Sequence, residues 1–313
     1  MDYLKTADQP HPQLDVMVVG EALIDVVTSG NHRVEHPGGS PANVAYGLAR
    51  LGVTTGLLTA MAPDAWGRRI EEHLSGAGVV LLPGSKRLAR TASATATVAA
   101  DGSAHYDFDI SWDLAPQTPA LFPKILHTGS IATFLAPGAG AVRSLLEQAH
   151  RHCVITYDPN IRPALLGSHA EARAIFEDLV RFTDVVKLSD EDAQWLYPGN
   201  SVDETAARIL GLGTSLTVIT RGAEGSYLST PGFDVTVPAV KTKVADTIGA
   251  GDSFMSALIH GLLNRDTEGF APAVLEQLGR AAAAAAAITV QRPGANPPSL
   301  EELTARLESQ RVG

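Results

Sequence analysis

The sequence predicts an α/β fold: a mostly parallel central sheet flanked by helices on both faces, with a small β-sheet set apart from it. Three observations carry this reading. Short apolar, β-branched runs alternate with segments of helical spacing along most of the 313 residues, the pattern of strands joined by crossover helices. Hydrophobic residues make up 45% of the chain, enough for one large core or two small ones. One stretch, "RTASATATVAADGSAHYDFD" at 90–109, breaks the alternation. It is β-branched, alternates with period two, and carries Asp101-Gly102 where a hairpin turn belongs.

Taken in order, the first 13 residues are polar and contain proline, which reads as a frayed tail rather than a signal peptide. The rest, 14–313, reads as one unit. "DVMVVGEALID" is the first strand-like run and ends on Asp25. "PANVAYGLARLG" has helical spacing, with Val44, Leu48 and Leu51 on one face. "TTGLLTAM" is a strand and "AWGRRIEEHLSGAG" a helix. "KILHTGSI", "CVITYDPN", "DVVKLS" and "SLTVITRG" continue the strands, with helices near 138–151, 169–182 and 202–211 between them. Segments at about 26–38 and 89–112 are the irregular ones. They form either a lid over a site or an extra edge hairpin, and the lid is favoured because both flank functional-looking stretches. Seven alanines at 281–287 suit close helix packing.

A net charge of −10 with no basic run argues against nucleic acid and anionic membrane as partners. No apolar run reaches the roughly 18 residues of a membrane span. The single cysteine, Cys153, permits no internal disulfide and reads as a strand residue, which fits a reducing, cytoplasmic setting.

The chemistry concentrates in "DTIGAGDSF", 246–254. Gly249, Ala250 and Gly251 sit at the mouth of an apolar helical stretch. A helix N-terminus offers unpaired amides and partial positive charge, and glycine lets an anion approach them. A carboxylate beside an anion hole is useful if it takes a proton from a hydroxyl attacking a phosphoryl group. Asp252 is therefore either a general base or a helix cap. Upstream, "PGGSPANVA" places Gly38, Gly39 and Asn43 at a helix start, with Ser40 as N-cap and Pro41 as first helical residue. "TRGAEG" at 220–225 follows a strand, and in "SDED" Ser189 reads as the cap of a solvated acidic helix start. The chain has no G-x-x-x-x-G-K-[ST] and no G-x-G-x-x-G; "GAGAVR" at 138–143 fails the second at Arg143, which weakens a dinucleotide-dependent oxidoreductase.

"GEALID", "GGSPANVA", "DPNIR", "KLSDED", "TRGAEG" and "DTIGAGDSF", in this order, resemble the PfkB carbohydrate kinases, the ribokinase-like family, over roughly 15–305. They are most similar to its bacterial fructokinase branch. The resemblance implies a ribokinase-like sheet with a small β lid and ATP-dependent phosphorylation of a hydroxymethyl group, with fructose as the leading acceptor. Other acceptors on the same fold are 2-keto-3-deoxygluconate, ribose or a nucleoside, and a non-catalytic sugar or nucleotide sensor is the rival class. By the resemblance, Asp252 is the catalytic base and Gly249, Ala250 and Gly251 the anion hole. Asp25, Gly39, Asn43 and Arg162 contact the sugar, and Thr220, Gly222 and Gly225 the nucleotide. Asp192, with Ser189, stands where the family has an N-x-x-E element that orders Mg²⁺ through water. Asp246, Ile248 and Gly294 lie where many members hold a monovalent cation such as K⁺. Lid sheets of such kinases often pair, so a homodimer is a further expectation.

Overall fold

Every residue of the first strand, β1 (Val16–Val19), is buried, and alternate side chains enter different cores. Val16 and Val18 join one core, Met17 and Val19 the other. A strand buried on both faces is what a parallel sheet between two helical layers requires. The computed structural model describes residues 13–30, 32–98, 104–117, 121–265 and 269–312.

β1 pairs in parallel with β4 (Thr55–Leu58) on one side and β8 (Ile125–Gly129) on the other. Beyond β4 lies the short β5 (Val80–Leu81). Beyond β8 come β9 (Val154–Asp158), β10 (Val185–Ser189) and β11 (Leu216–Thr220), all parallel. No strand beyond Thr220 is expected from the sequence; the structure adds an antiparallel pair, β12 (Ser226–Ser229) and β13 (Asp234–Val237), at that edge. The order of the nine strands is β13-β12-β11-β10-β9-β8-β1-β4-β5. Strand order reverses at β1, and the crevice beyond the carboxyl ends beside such a switch point is where open α/β sheets bind ligands.

One helical layer contains α1 (Ser40–Arg50), α2 (Ala65–Gly76), α7 (Ala250–Leu263), α8 (Pro272–Thr289) and α9 (Leu300–Val312). The other contains α3 (Gly138–Ala149), α4 (His169–Val180), α5 (Asp190–Leu196) and α6 (Val202–Leu210). The alanine run explains how α8 packs on α7. Ala282, Ala284 and Ala285 are fully covered, and Thr289 Oγ1 donates to Ser253 Oγ at 2.8 Å.

The run read as one strand, "DVMVVGEALID", is two. The chain leaves the central sheet at Gly20, and β2 (Leu23–Ser29) belongs to a second sheet with β3 (His32–Gly38), β6 (Ser93–Val98) and β7 (Ala104–Asp109), in the order β3-β2-β6-β7. The break follows from packing: a Cβ at Gly20 would lie 2.2 Å from Pro41 Cγ, so α1 starts hard against the backbone there. Asp25 therefore sits on the small sheet, opposite His36, and not at the end of a core strand. Trp112, at the end of the 89–112 segment, is buried in the main core with Leu114, and its Nε1 donates to Ala132 O at 2.9 Å. The tail at 1–12 and the turn at Asp101-Gly102 lie outside the described residues. Cys153 is half-buried just before β9, and burial pushes its thiol up to about 11, far from a nucleophile's range.

Candidate active site

The N-termini of α1 and α7 meet beyond the carboxyl end of β1. Gly39 is the N-cap of α1 with φ 99°, and a Cβ there would lie 2.6 Å from the Glu21 carbonyl oxygen. Only glycine combines that backbone angle with that approach. Gly249 is the N-cap of α7 with φ 75°, and a Cβ on it would meet Ala295 at 2.7 Å. Neither cap residue has a side chain to pair the first-turn amides; in α7 the first of them, Ala250 N, donates back to Thr247 O at 3.3 Å. The N-cap expected at Ser40 is thus Gly39, with Ser40 inside the first turn.

Asp252 lies in the first turn of α7 and is half-buried. Ser40 Oγ donates to its Oδ1 at 2.7 Å and Asn43 Nδ2 to its Oδ2 at 2.9 Å. Asn43, expected as a sugar ligand, thus holds the carboxylate beside the glycine amides. Burial raises the Asp252 pKa; the Ser40 and Asn43 hydrogen bonds and the Lys187 and Arg162 charges oppose that rise.

Asp25 reaches the same space from β2. Burial and then the Asp252 charge push it up to about 6, against the pull of Arg162. A Cβ at Gly38 would fall 2.0 Å from Asp25 Oδ2, so the glycine makes room for this carboxylate. Arg162 donates through Nη1 to its own neighbour, Ile161 O, at 3.0 Å.

Three buried groups escape the sequence reading. Glu21 follows β1, and Ala132 N donates to its Oε2 at 3.3 Å; burial pushes its carboxyl up to about 8. Asp158, the last residue of β9, accepts from Lys187 Nζ of β10 at 2.7 Å through Oδ2. Asp158 Oδ1 is buried without a hydrogen-bond partner. Burial opposes the Lys187 charge, but the Asp158, Asp192 and Asp252 carboxylates outweigh it and hold the ammonium above the usual lysine range. That ammonium lies 3.2 Å from where a Cβ of Gly251 would stand, directly beside the start of α7. A signal was present: a lysine inside "VVKLS" and a glutamate inside "VVGEALI" are charges within apolar runs, which stay buried only when paired or neutralised.

Ser189 does cap α5, in a capping box with Asp192. The cap is not solvated: Asp192 is buried, with Oδ1 accepting from Ile161 N at 2.9 Å and Oδ2 from Ser189 N at 3.1 Å. Its carboxylate ties the chain ahead of Arg162 to the start of α5. One strand further along the edge, Thr220 ends β11 and donates to Leu188 O at 3.4 Å, while Gly222 and Gly225 bracket the turn into β12. No contact among the described residues joins Gly222 or Gly225 to Asp252. Asp246, Ile248 and Gly294 do come together: Asp246 accepts from Ile248 N at 3.1 Å and Gly294 N at 2.8 Å. Burial works against its charge, but these amides outweigh it and hold Asp246 below the usual carboxylate range.

Among the described residues no three His, Cys, Asp or Glu side chains are arranged to hold a metal ion, and no helix is long and apolar enough to cross a membrane.

Comparison with known proteins gives a consistent picture. The family model for pfkB family carbohydrate kinases matches residues 13–303. A fructokinase of Rhizobium leguminosarum bv. trifolii is 32% identical over 259 residues, covering 79% of each chain. Fructokinase-2 of Solanum lycopersicum is 32% identical over 302 residues, covering 90% of this chain and 92% of its own. Among solved structures, a fructokinase double mutant of Vibrio cholerae O395, with fructose, ADP and potassium ion bound, superposes with a TM-score of 0.84 at 26% identity, covering 94% of this chain and 98% of its own.

Proposed function

As the chain belongs to the pfkB family of carbohydrate kinases, we propose that this enzyme transfers the γ-phosphoryl group of ATP to the primary hydroxyl of fructose, giving fructose 6-phosphate in the cytoplasm. One observation supports this most: a half-buried carboxylate, Asp252, gripped by Ser40 and Asn43 at the glycine-capped start of α7.

In this reading Asp252 accepts the hydroxyl proton as oxygen attacks phosphorus, and the amides of Gly249, Ala250 and Gly251 receive the charge on the phosphoryl oxygens. Asp25, Gly39 and Arg162 hold the remaining sugar hydroxyls, and the amide oxygen of Asn43 accepts from one of them. Thr220, Gly222 and Gly225 seat the nucleotide at the end of β11. The small sheet closes over the sugar and keeps water from the phosphoryl group. Val27 and Val34, opposite each other and 36% and 48% exposed, favour a homodimer through that sheet.

The residues present fit a magnesium ion carried by the nucleotide. Mg²⁺ keeps several waters and needs few protein ligands, and Asp158 Oδ1 is a buried carboxylate oxygen with no partner to release. Asp158, with Asp192 behind it, would hold the ion's waters; the bound ion would neutralise phosphate charge. A K⁺ ion fits the Asp246, Ile248 and Gly294 loop through carbonyl oxygens and the ionised Asp246.

Release of ADP from ATP and Mg²⁺ against a panel of ketoses, aldoses, sugar acids and nucleosides tests the acceptor. Fructose should show the highest kcat/KM; a nucleoside or keto sugar acid in first place would overturn the assignment. Asp25→Ala should raise the sugar KM at least about tenfold and leave ATP binding unchanged, because a hydrogen bond to a charged group is worth roughly 1.5–3 kcal/mol. Because burial pushes the Asp25 carboxyl up to about 6 and protonation removes its acceptor role, the wild-type sugar KM should climb as pH falls through that value. Asp25→Ala should flatten the climb. An equal loss of ATP affinity would place Asp25 at the other end of the site.

The small sheet gives a separate test. A two-stranded hairpin such as β6–β7 is only marginally stable on its own, so amides of 93–98 and 104–109 should gain hydrogen-exchange protection on saturation with fructose. Unchanged protection in an enzyme that phosphorylates fructose would make it a fixed edge rather than a lid.

A further inference from the structure

Ser40 occupies a position from which a helix-capping role is expected, yet its hydroxyl makes no cap. It crosses instead to Asp252, 212 residues away in sequence, at 2.7 Å. The placement is rigid. Gly39 is pinned against the Glu21 carbonyl, and lower on α1 Ser256 Oγ of α7 donates to Val44 O at 3.1 Å. Ser40 and Asn43 are one turn apart on one helical face, so together they take one lone pair from each Asp252 oxygen. Each oxygen keeps a second lone pair for an incoming proton.

Building on the reading of Asp252 as the base, we propose that Ser40 is a positioning residue for phosphoryl transfer, whose hydroxyl holds the Asp252 carboxylate in its proton-accepting form and orientation. The charges around Asp252 show why such a donor matters. Lys187 from β10 and Arg162 after β9 favour the anion. Asp25 from β2, Glu21 after β1 and Asp158 from β9 all lie within its field, and when ionised they oppose it. Ser40 and Asn43 are the neutral donors that tip this balance. Without Ser40, Oδ1 loses the hydroxyl that pairs it inside a half-buried site, and the protonated form gains.

The sign follows directly. A donor to a carboxylate favours its charged form, so removing it raises the pH at which the group loses its proton. In Ser40→Ala the acidic limb of the kcat/KM profile should move up by about one pH unit, a tenfold loss on that limb, with the activity recovering on the alkaline side. Ser40→Thr should restore the limb, and Ser40→Cys, a weaker donor, should fall between. The carboxyl band of Asp252 in infrared titration, assigned by its absence in Asp252→Asn, should move by the same amount. Thermal melting should show each variant folded. A limb and band that stay at the wild-type pH in Ser40→Ala, with activity reduced equally at all pH, would make Ser40 a packing residue and overturn the inference. A limb that moves while the Asp252 band does not would assign the limb to Asp25 or Glu21 and overturn it equally. The infrared readout does not depend on turnover, so it separates this inference from the identity of the base: near-normal turnover in Asp252→Asn would sink that reading alone.

Discussion

Asp252→Asn is expected to lower kcat by about 10²–10⁴-fold, the range for loss of a general base, with fold and nucleotide affinity retained. The substitution keeps the size of the side chain and both of its partners. The new amide can turn its oxygen toward Asn43 Nδ2, and its nitrogen can donate to Ser40 Oγ, whose oxygen also accepts. The grip that ties α1 to α7 therefore survives, and only the capacity to take a proton is lost. Steady-state turnover with fructose, together with calorimetric titration of ADP, checks both halves. A variant with near-wild-type kcat would reduce Asp252 to a first-turn acid that favours the helix dipole.

Lys187→Met is expected to destabilise the protein by about 3–5 kcal/mol, the usual cost of breaking a buried ion pair from one side. The side chains of Lys187 and Asp158 are only 5% and 3% exposed, so water cannot replace the lost ammonium. Asp158 Oδ1 already lacks a partner, and after the change Oδ2 would lack one too. Replacing both, as Lys187→Met with Asp158→Leu, should recover most of the loss, because a well-packed apolar pair avoids the desolvation penalty altogether. Urea denaturation of the two single variants and the double variant closes the cycle. Lys187→Met and the double variant should both be catalytically impaired, since the ammonium lies against Gly251. A loss below about 1 kcal/mol in Lys187→Met, the range of exposed pairs, would show that the pair is not sealed from solvent.

The sequence by itself determined the layered architecture and the glycine-capped helix start at Gly249. Both are written in short windows. Val16 to Val19 is a continuous apolar run because its strand is covered on both faces, and Val185 to Leu188 is apolar but for Lys187. The spacing of Val44 and Leu48 declares the buried stripe of α1. Gly249 to Asp252 declares a helix start with room for an anion, because backbone angle and absent Cβ are local properties. Irregularity at 90–109 was equally local, and it marked a second sheet. What no window contains is which edges touch. The break at Gly20 needs Pro41 pressed against it, and it moves Asp25 from the core sheet to the small one. Asp192 looks like a solvated first-turn acid until the chain at Ile161 is laid over it. The Ser40–Asp252 bond spans 212 residues and the Asp158–Lys187 pair joins two neighbouring strands. Those contacts exist only once the strand order is set, because a hydrogen bond between distant segments depends on where two helices or two strands come to lie, and periodicity within either segment carries no record of its neighbour.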